Sequence, residues 1–473
     1  MKIMDFQWKL TVGAAIAALA FGVQAESFDV VVIGSGGAGL SAGIMAKESG
    51  AKTVVLEKQA YLGGNTNFAS GGMNAAGTKQ QLAAGVTNDS PEIFFRDTMK
   101  GGHNLNNPAL LKVFTENAKY SEEWLLDLGA DFCFRKGRGG GQSVARSHGP
   151  CDGSPVGPEV LRVLLKKADS IGLDIRKQNQ VVDIGMKDGK ISSVKVKTPK
   201  GVETLDAKAV VLATGGFGAN LDMVTKYRPE LKGFSTTNHP GAQGEGLELA
   251  AKLGAGFTDI EQIQIHPTVV KKDGHLISES MRSRGGILLN HDGNRFCNEL
   301  LTRDVVSQHV LAQKGGEAFL VYDQSIFDSN KLSRGYYEHG YSVKGDTLED
   351  LAKKLDMSVE NVKKTFEAYW EAHKTGVDKA FGRPEMVIAL DKGPWYAAKI
   401  TPGIHHTMGG VTIDPETHVL TKDSKVIQGL FAAGEVTGGV HGGNRIGGNA
   451  VTDIVTFGRI AGTNAAAYVD TVK

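Results

Sequence analysis

The feature that most constrains this chain is a strand, turn, helix and second strand near its start. Phe28-Asp29-Val30-Val31-Val32-Ile33 is an apolar run of the kind buried on both faces of a parallel sheet. It runs directly into Gly34-Ser35-Gly36-Gly37-Ala38-Gly39, a GxGxxG turn, and then into a helical stretch from Leu40 to Ser49. A second strand, Thr53-Val54-Val55-Leu56, ends at Glu57. An acid about 20 positions beyond the glycines completes a dinucleotide-binding βαβ unit. Gly34 permits the tight turn, Gly36 lets the backbone approach a pyrophosphate, and Gly39 allows close packing of helix on strand. Glu57 accepts hydrogen bonds from a ribose. A lone GxGxxG carries little weight; this one has its strands, helix and acid in the required order. Only one such fingerprint is visible, which argues against hydride exchange with a second, nicotinamide dinucleotide.

Two later runs extend the same architecture. Ala209-Val210-Val211-Leu212-Ala213-Thr214-Gly215-Gly216 and Gly429-Leu430-Phe431-Ala432-Ala433-Gly434-Glu435 are apolar strands ending in glycines. If both join the first sheet, the nucleotide-binding domain is discontinuous. The expected class is α/β, a discontinuous Rossmann-like domain (residues 26–256 and 384–473) with an inserted α+β capping domain (257–383). The insertion contains a helical pattern from Leu348 to Lys374.

Residues 1–25 read as a secretory signal peptide. Lys2 and Lys9 precede or flank the apolar stretch Leu10 to Val23, and Val23-Gln24-Ala25 is a small-x-small cleavage site. The alternative, an uncleaved anchor, fits poorly because spanning a bilayer takes about 20 apolar residues. No Arg-Arg pair precedes the stretch, so a twin-arginine route is not indicated. The expected location is periplasmic, with no membrane span once the signal is removed. A net charge of +1 without a basic run gives no reason to expect nucleic acid or a membrane surface as a partner. The 62 glycines cluster beside apolar runs, as suits a backbone passing close to a large ligand. Cys133, Cys151 and Cys297 make no CxxC pair and no disulfide framework, and the odd count leaves at least one structural thiol. No CxxCH occurs, so no c-type haem is expected on these residues, and no metal ligands are assigned.

Six further blocks stand in order along the chain: Gly63-Gly64-Asn65-Thr66, Ser70-Gly71-Gly72-Met73-Asn74, Gln264-Ile265-His266-Pro267-Thr268, Thr302-Arg303-Asp304, His405-His406-Thr407-Met408-Gly409-Gly410 and Asn444-Arg445-Ile446-Gly447-Gly448-Asn449. With the βαβ unit they resemble the flavoprotein subunit of the fumarate reductase and succinate dehydrogenase family, and among its members the periplasmic flavocytochrome c fumarate reductases. The resemblance runs from Phe28 to near the C-terminus. It implies FAD as cofactor, held non-covalently, and reduction of the carbon–carbon double bond of a small unsaturated carboxylate. The flavocytochromes carry a multihaem domain before the flavin domain; here the expected signal peptide leads straight to the first strand. Electrons are therefore expected from a separate cytochrome c or another redox protein.

The chemistry fits the residues. Hydride addition to one alkene carbon builds negative charge on the conjugated carboxylate, which calls for fixed cations and donors that exclude water. By resemblance, Arg445 grips a substrate carboxylate bidentately, and His405 and His266 bind carboxylate oxygens. Gly448 and Gly71 flank the substrate, and His406 lies nearer the flavin. Arg303 is the expected proton donor, supplied through Glu279 and Arg282 in Ser278-Glu279-Ser280-Met281-Arg282. The plain alternatives are a loop arginine at 445, core histidines, and a Glu–Arg network that only holds the insertion together. Ser278 stands where fumarate reductases usually have Thr; it keeps the hydroxyl and loses a methyl. By the same resemblance, related enzymes reduce methacrylate-type acids and urocanate on the same frame, with fumarate the leading candidate here. For FAD, the resemblance implies Gly34, Gly36, Ala38 and Gly39 at the pyrophosphate and Glu57 at the ribose. Asn65, Thr66, Gly71 and Gly72 would lie along the isoalloxazine. Val181, Glu245 (often Asp in relatives), His406 and Glu435 are further contacts, with Ala450 and Val451 opening a helix toward the flavin.

Rival readings on the same frame are a dehydrogenase working in the oxidising direction and a ketosteroid-type desaturase, which need a base or an apolar pocket. An L-aspartate oxidase is expected in the cytoplasm, against the signal peptide. A non-catalytic flavin electron carrier would have no need of Arg303, Glu279 and Arg445 together.

Overall fold

The computed structural model describes residues 26–329 and 331–472; the expected signal segment lies outside them. Ser27–Ile33 forms the centre of a sheet because its valines are apolar on both faces and both faces are covered. It pairs in parallel with Thr53–Glu57 on one side, Val30 opposite Thr53, and with Gly201–Leu212 on the other, Val30 opposite Ala209. Asp174–Lys177 adds beyond Thr53–Glu57, and Val426–Ala432 beyond Gly201–Leu212, both in parallel. Antiparallel strands Gln180–Lys187, Lys190–Thr198 and His418–Leu420 complete this sheet. A strand that begins at residue 426 thus lies two places from the one that begins at residue 27, so the nucleotide-binding domain is discontinuous.

The helix after the glycine turn, Gly37–Glu48, is clamped by the C-terminal helix, Asn449–Thr471. The close crossing depends on two glycines one helical turn apart. A Cβ at Gly458 would lie 2.6 Å from the carbonyl oxygen of Ala38, and one at Gly462 would lie 2.1 Å from that of Ala42.

A second antiparallel sheet orders Ile263–Val269, Trp395–Thr407, Ala318–Asp323 and Ile287–Leu289, with Ser342–Gly345 also paired to Trp395–Thr407. It carries its own hydrophobic cluster, including Leu320, Val321, Tyr322, Phe366 and Tyr369. The long strand Trp395–Thr407 joins the two lobes: Tyr396, Ala397, Ala398 and Ile400 pack in the second cluster and Ile404 in the first. The capping core therefore draws on residues beyond position 383. The helical pattern from Leu348 to Lys374 resolves into two helices, Leu348–Lys354 and Val359–Thr375. Asp356 breaks it with a left-handed φ of 54°, and the Ser358 side chain caps the second helix by accepting from Asn361 N.

One expectation needs correcting. Cys133 and Cys151, which showed no disulfide pattern in sequence, are bridged with Cα atoms 4.9 Å apart. The strands Phe132–Arg135 and Ser147–Pro150 pair with Cys133 opposite Gly149, and this register brings the sulfurs together. Cys297 is the free, buried thiol. Among the described residues no helix is long and apolar enough to cross a membrane.

Candidate active site

Two cavities share Asn65, Thr66, His239, Glu435 and Ile454 and so form one trough along the ends of the parallel strands. The first half is lined by Gly34, Gly36, Ala38, Glu57, Val181 and Glu245 among others. Gly34 has φ 106°, and a Cβ there would sit 2.4 Å from the Ala213 carbonyl oxygen. Gly39 does not line the trough; a Cβ on it would lie 1.8 Å from the Gly34 oxygen, so it serves helix–strand packing. Glu57 is already engaged: Ser35 N and Oγ donate to Oε2 at 3.1 and 2.6 Å, and Gln59 N donates to Oε1 at 2.8 Å. Thr66 Oγ1 accepts from Gly37 N at 3.0 Å. Glu245 opens the helix Glu245–Lys252 and pairs with Lys58.

The second half of the trough collects residues from both lobes. His405, His406, Arg445, Gly448, Ala450 and Val451 come from the C-terminal part, Gly71 and Gly72 from the N-terminal part, and His266, Ser278, Glu279 and Arg303 from the cap. Arg303 opens the helix Arg303–Leu311. Its Nε donates to Glu279 Oε2 at 2.7 Å and its Nη1 to Gln264 Oε1 at 2.9 Å. Arg282 does not line the cavity; it is fully buried behind Glu279, with Nη2 3.8 Å from Oε2. His266 and His405 meet edge to face with ring centres 5.0 Å apart. His266 Nδ1 accepts from Thr268 N at 3.3 Å, so the neutral ring carries its proton on Nε2. His406 Nδ1 lies 3.4 Å from Glu435 Oε2. Ser278 Oγ accepts from Ser280 N and Oγ, which leaves its own proton to donate elsewhere.

The electrostatics of the site suit an anion. Burial, and then Arg303, push His266 and His405 well below the ordinary imidazole range, so both rings are neutral. Burial brings His406 down to about 4 against the opposing pull of Glu435. The Arg445 guanidinium makes one hydrogen bond, Nη1 to Ile446 O at 3.3 Å, among the described residues. Burial and the neighbouring Arg303 lower it to about 9. Burial alone would raise Glu279, but the charges of Arg303 and Arg282 and the bonds from Arg303 and Gly140 N hold it at about 2. Arg445 Nε, His266 Nε2 and His406 Nε2 are buried and find no partner among the described residues. Leaving a buried donor or acceptor unpaired costs roughly 1–3 kcal/mol, more if charged.

The residues present fit a bound dinucleotide. The helices Gly37–Glu48 and Asn449–Thr471 both begin at a glycine with no side-chain cap, at Gly36 and Gly448, and both starts line the trough. Gly37 N is taken by Thr66 Oγ1 and Asn449 N by Ile446 O; the next N–H groups of each first turn suit a pyrophosphate and an electron-rich ring edge. Several participants escape sequence reading. Thr237 holds His405 Nδ1 at 2.7 Å from a loop with no motif. Gln264 lies in the QIHPT block, yet its bond to Arg303 depends on the cap fold. Gly140 donates to Glu279 from a distant loop.

A dinucleotide-binding sheet, two open helix starts and convergent cations over one trough define an FAD-dependent oxidoreductase. The FAD binding domain family model matches residues 29–451. The chain is 46% identical over 445 residues to a fumarate reductase (cytochrome) of Shewanella frigidimarina, covering 94% of this chain and 78% of the relative. It is 34% identical over 454 residues to the urocanate reductase of Eggerthella lenta, covering 93% and 74%. A solved flavocytochrome c3 fumarate reductase in its open conformation superposes with a TM-score of 0.77 at 44% identity, over 94% of this chain and 79% of that one. The chain belongs to the FAD-dependent flavoprotein family of the fumarate reductases and succinate dehydrogenases.

Proposed function

We propose that this protein reduces the carbon–carbon double bond of a small unsaturated carboxylate, with fumarate to succinate the leading case. The observation that carries the reading is the convergence of Arg303, Arg445, His266 and His405 on one cavity, with the Glu279 carboxylate committed to Arg303. A non-catalytic carrier has no use for such an arrangement, and a desaturase needs a base or an apolar pocket in its place. FAD, when bound and reduced, supplies the hydride.

The chain's own residues supply the rest. Arg445 grips one carboxylate through its planar fork. His266 Nε2 and His405 donate to carboxylate oxygens and stabilise the charge that develops there. Arg303 delivers a proton to the second alkene carbon. A guanidinium holds its proton tightly, so the proton must be replaced as it leaves. Glu279, 2.7 Å away, and Arg282 behind it form that path. Ser278 donates to the far end of the substrate.

The mature protein works in the periplasm after removal of residues 1–25. The Cys133–Cys151 bridge supports an oxidising compartment. These 473 residues contain no CxxCH, so electrons reach the flavin from a cytochrome c or another redox carrier outside them. One second reading has specific support: the substrate is a different enoate, of the urocanate or acrylate type. Ser278 leaves more room than a threonine, and the cavity continues past it to Tyr336 and Tyr341.

The test is anaerobic oxidation of reduced methyl viologen by the purified protein, with fumarate, methacrylate, acrylate, urocanate and crotonate offered in parallel. Turnover with fumarate supports the leading case. Turnover with only a monocarboxylate or urocanate moves the substrate, and no turnover by FAD-loaded protein rejects the reductase reading.

A further inference from the structure

The hairpin of Phe132–Arg135 and Ser147–Pro150 carries a glycine-rich loop, residues 136–146, that reaches from the FAD-binding lobe to the cap. At its tip Gly140 N donates to Glu279 Oε1 at 2.8 Å. The two oxygens of Glu279 are thus divided, Oε1 to this loop and Oε2 to Arg303. The contact is close: a Cβ on Gly140 would lie 2.6 Å from Leu301 O and 3.1 Å from Glu279 Oε1. Beside it Arg138 N donates to Glu385 Oε2 at 3.1 Å, Arg138 Nη2 donates to Pro384 O at 3.1 Å, and Gly141 N donates to Leu300 O at 3.2 Å.

The loop's other end is fixed to the FAD-binding lobe. Arg146 is fully buried and pairs with Asp89 at 2.9 Å and Asp97 at 2.7 Å. Ser143 N and Oγ both donate to Asp97 Oδ2, at 2.9 and 2.8 Å. At the base, the Cys133–Cys151 bridge closes the hairpin. Such a base restricts the alternatives open to a glycine-rich loop, whose backbone entropy is otherwise large.

We propose that this disulfide-closed loop is a positioning element for proton delivery, with the Gly140 amide orienting the Glu279 carboxylate toward Arg303 and Arg138 latching the loop to the cap. The proposal rests on the reading of Glu279 and Arg303 as a proton path. Gly140 acts through Glu279 and does not itself line the trough. A carboxylate anchored through one oxygen presents the other in a single orientation, and small misplacements at such a site are costly.

The experiment compares FAD-loaded Arg138→Ala, Arg138→Lys and Cys133→Ser/Cys151→Ser with the wild-type protein, using the best enoate of the methyl viologen panel. Glu279→Gln serves as the control. Arg138→Ala and the cysteine pair are expected to lower kcat about tenfold or more, with KM and FAD content near wild type. Their solvent deuterium isotope effect on kcat should increase, and the acidic limb of the kcat–pH profile should move upward, since a hydrogen bond to the charged carboxylate is weakened. Arg138→Lys should recover most of the rate. Wild-type rate, isotope effect and pH profile in Arg138→Ala, with Glu279→Gln inactive, would overturn the loop's role and leave the proton path intact. A loss confined to FAD content or KM would also overturn it. Full activity in Glu279→Gln would remove the proton path and this proposal with it. If the cysteine pair fails to fold, Arg138→Ala and Arg138→Lys decide alone.

Discussion

Arg303 is held by one charged and one neutral acceptor, Glu279 and Gln264, so its orientation is set by two bonds of different strength. Glu279→Gln keeps the shape and removes the charge. The expected result is a fall in kcat of about 10²–10⁴, the range for losing a positioned acid–base group, with KM little changed; steady-state kinetics on FAD-loaded protein decide it. Arg445 is the residue through which pH should act. Its protonated form binds the carboxylate, and burial beside Arg303 lowers it to about 9. Activity should therefore be present below that value and lost as pH rises through it. The acid–base behaviour of the free enzyme is read in kcat/KM, and a kcat/KM profile flat well above pH 9 would contradict the assignment. Arg445→Lys, which keeps charge and loses the fork, should raise KM about tenfold or more. At this scale the sequence was informative where a residue sits inside a distinctive block, as with His266, Arg303, His405 and Arg445. Thr237 and Gly140 sit in no such block, and only folding brings them beside His405 and Glu279.

Elements were legible in proportion to how local their causes are. The first strand, the glycine turn and the following helix follow from neighbouring residues, and all stand where the pattern places them. The break at Asp356 has local causes, its left-handed φ and the Ser358 cap, that the helical periodicity alone does not show. The Cys133–Cys151 bridge does not, because it depends on how two strands register. The crossing of Gly37–Glu48 with Asn449–Thr471 is equally non-local, and it sets the position of both open helix starts. Gly462→Val should force these helices apart, with a cost of at least about 1–3 kcal/mol for overpacking. A lower Tm and weaker FAD retention would be measured together; an unchanged Tm would reject the account of the crossing. In the cap, Glu299 is fully buried between Arg295 and Arg383. Arg383 also donates to the carbonyl oxygen of Arg282 at 2.6 Å. Glu299→Gln leaves the buried Arg383 guanidinium without its counter-charge, while Arg295 keeps Asp378 at 2.8 Å, and should destabilise the protein by about 3–5 kcal/mol in urea unfolding. Little or no change would mean that water reaches this cluster.

At the scale of the whole molecule, one parallel sheet is assembled from both ends of the chain, and a separate antiparallel sheet hangs over the ends of its strands. The discontinuity was legible because the strand at Leu430 carries the same apolar-then-glycine pattern as the strand at Val210. The shared strand Trp395–Thr407 was not, since its start packs in the cap core and Ile404 near its end packs in the other. This arrangement is what lets Arg303 from the cap and Arg445 from the C-terminal segment face the same trough. The most direct measurement is anaerobic stopped-flow mixing of FAD-reduced protein with fumarate, in the wild type and in Arg303→Ala. The account predicts rapid reoxidation of the flavin in the wild type. In Arg303→Ala it predicts near-complete loss of that reoxidation, with fumarate still binding. Equal reoxidation rates in the two proteins, or none in the wild type with any enoate, would contradict it.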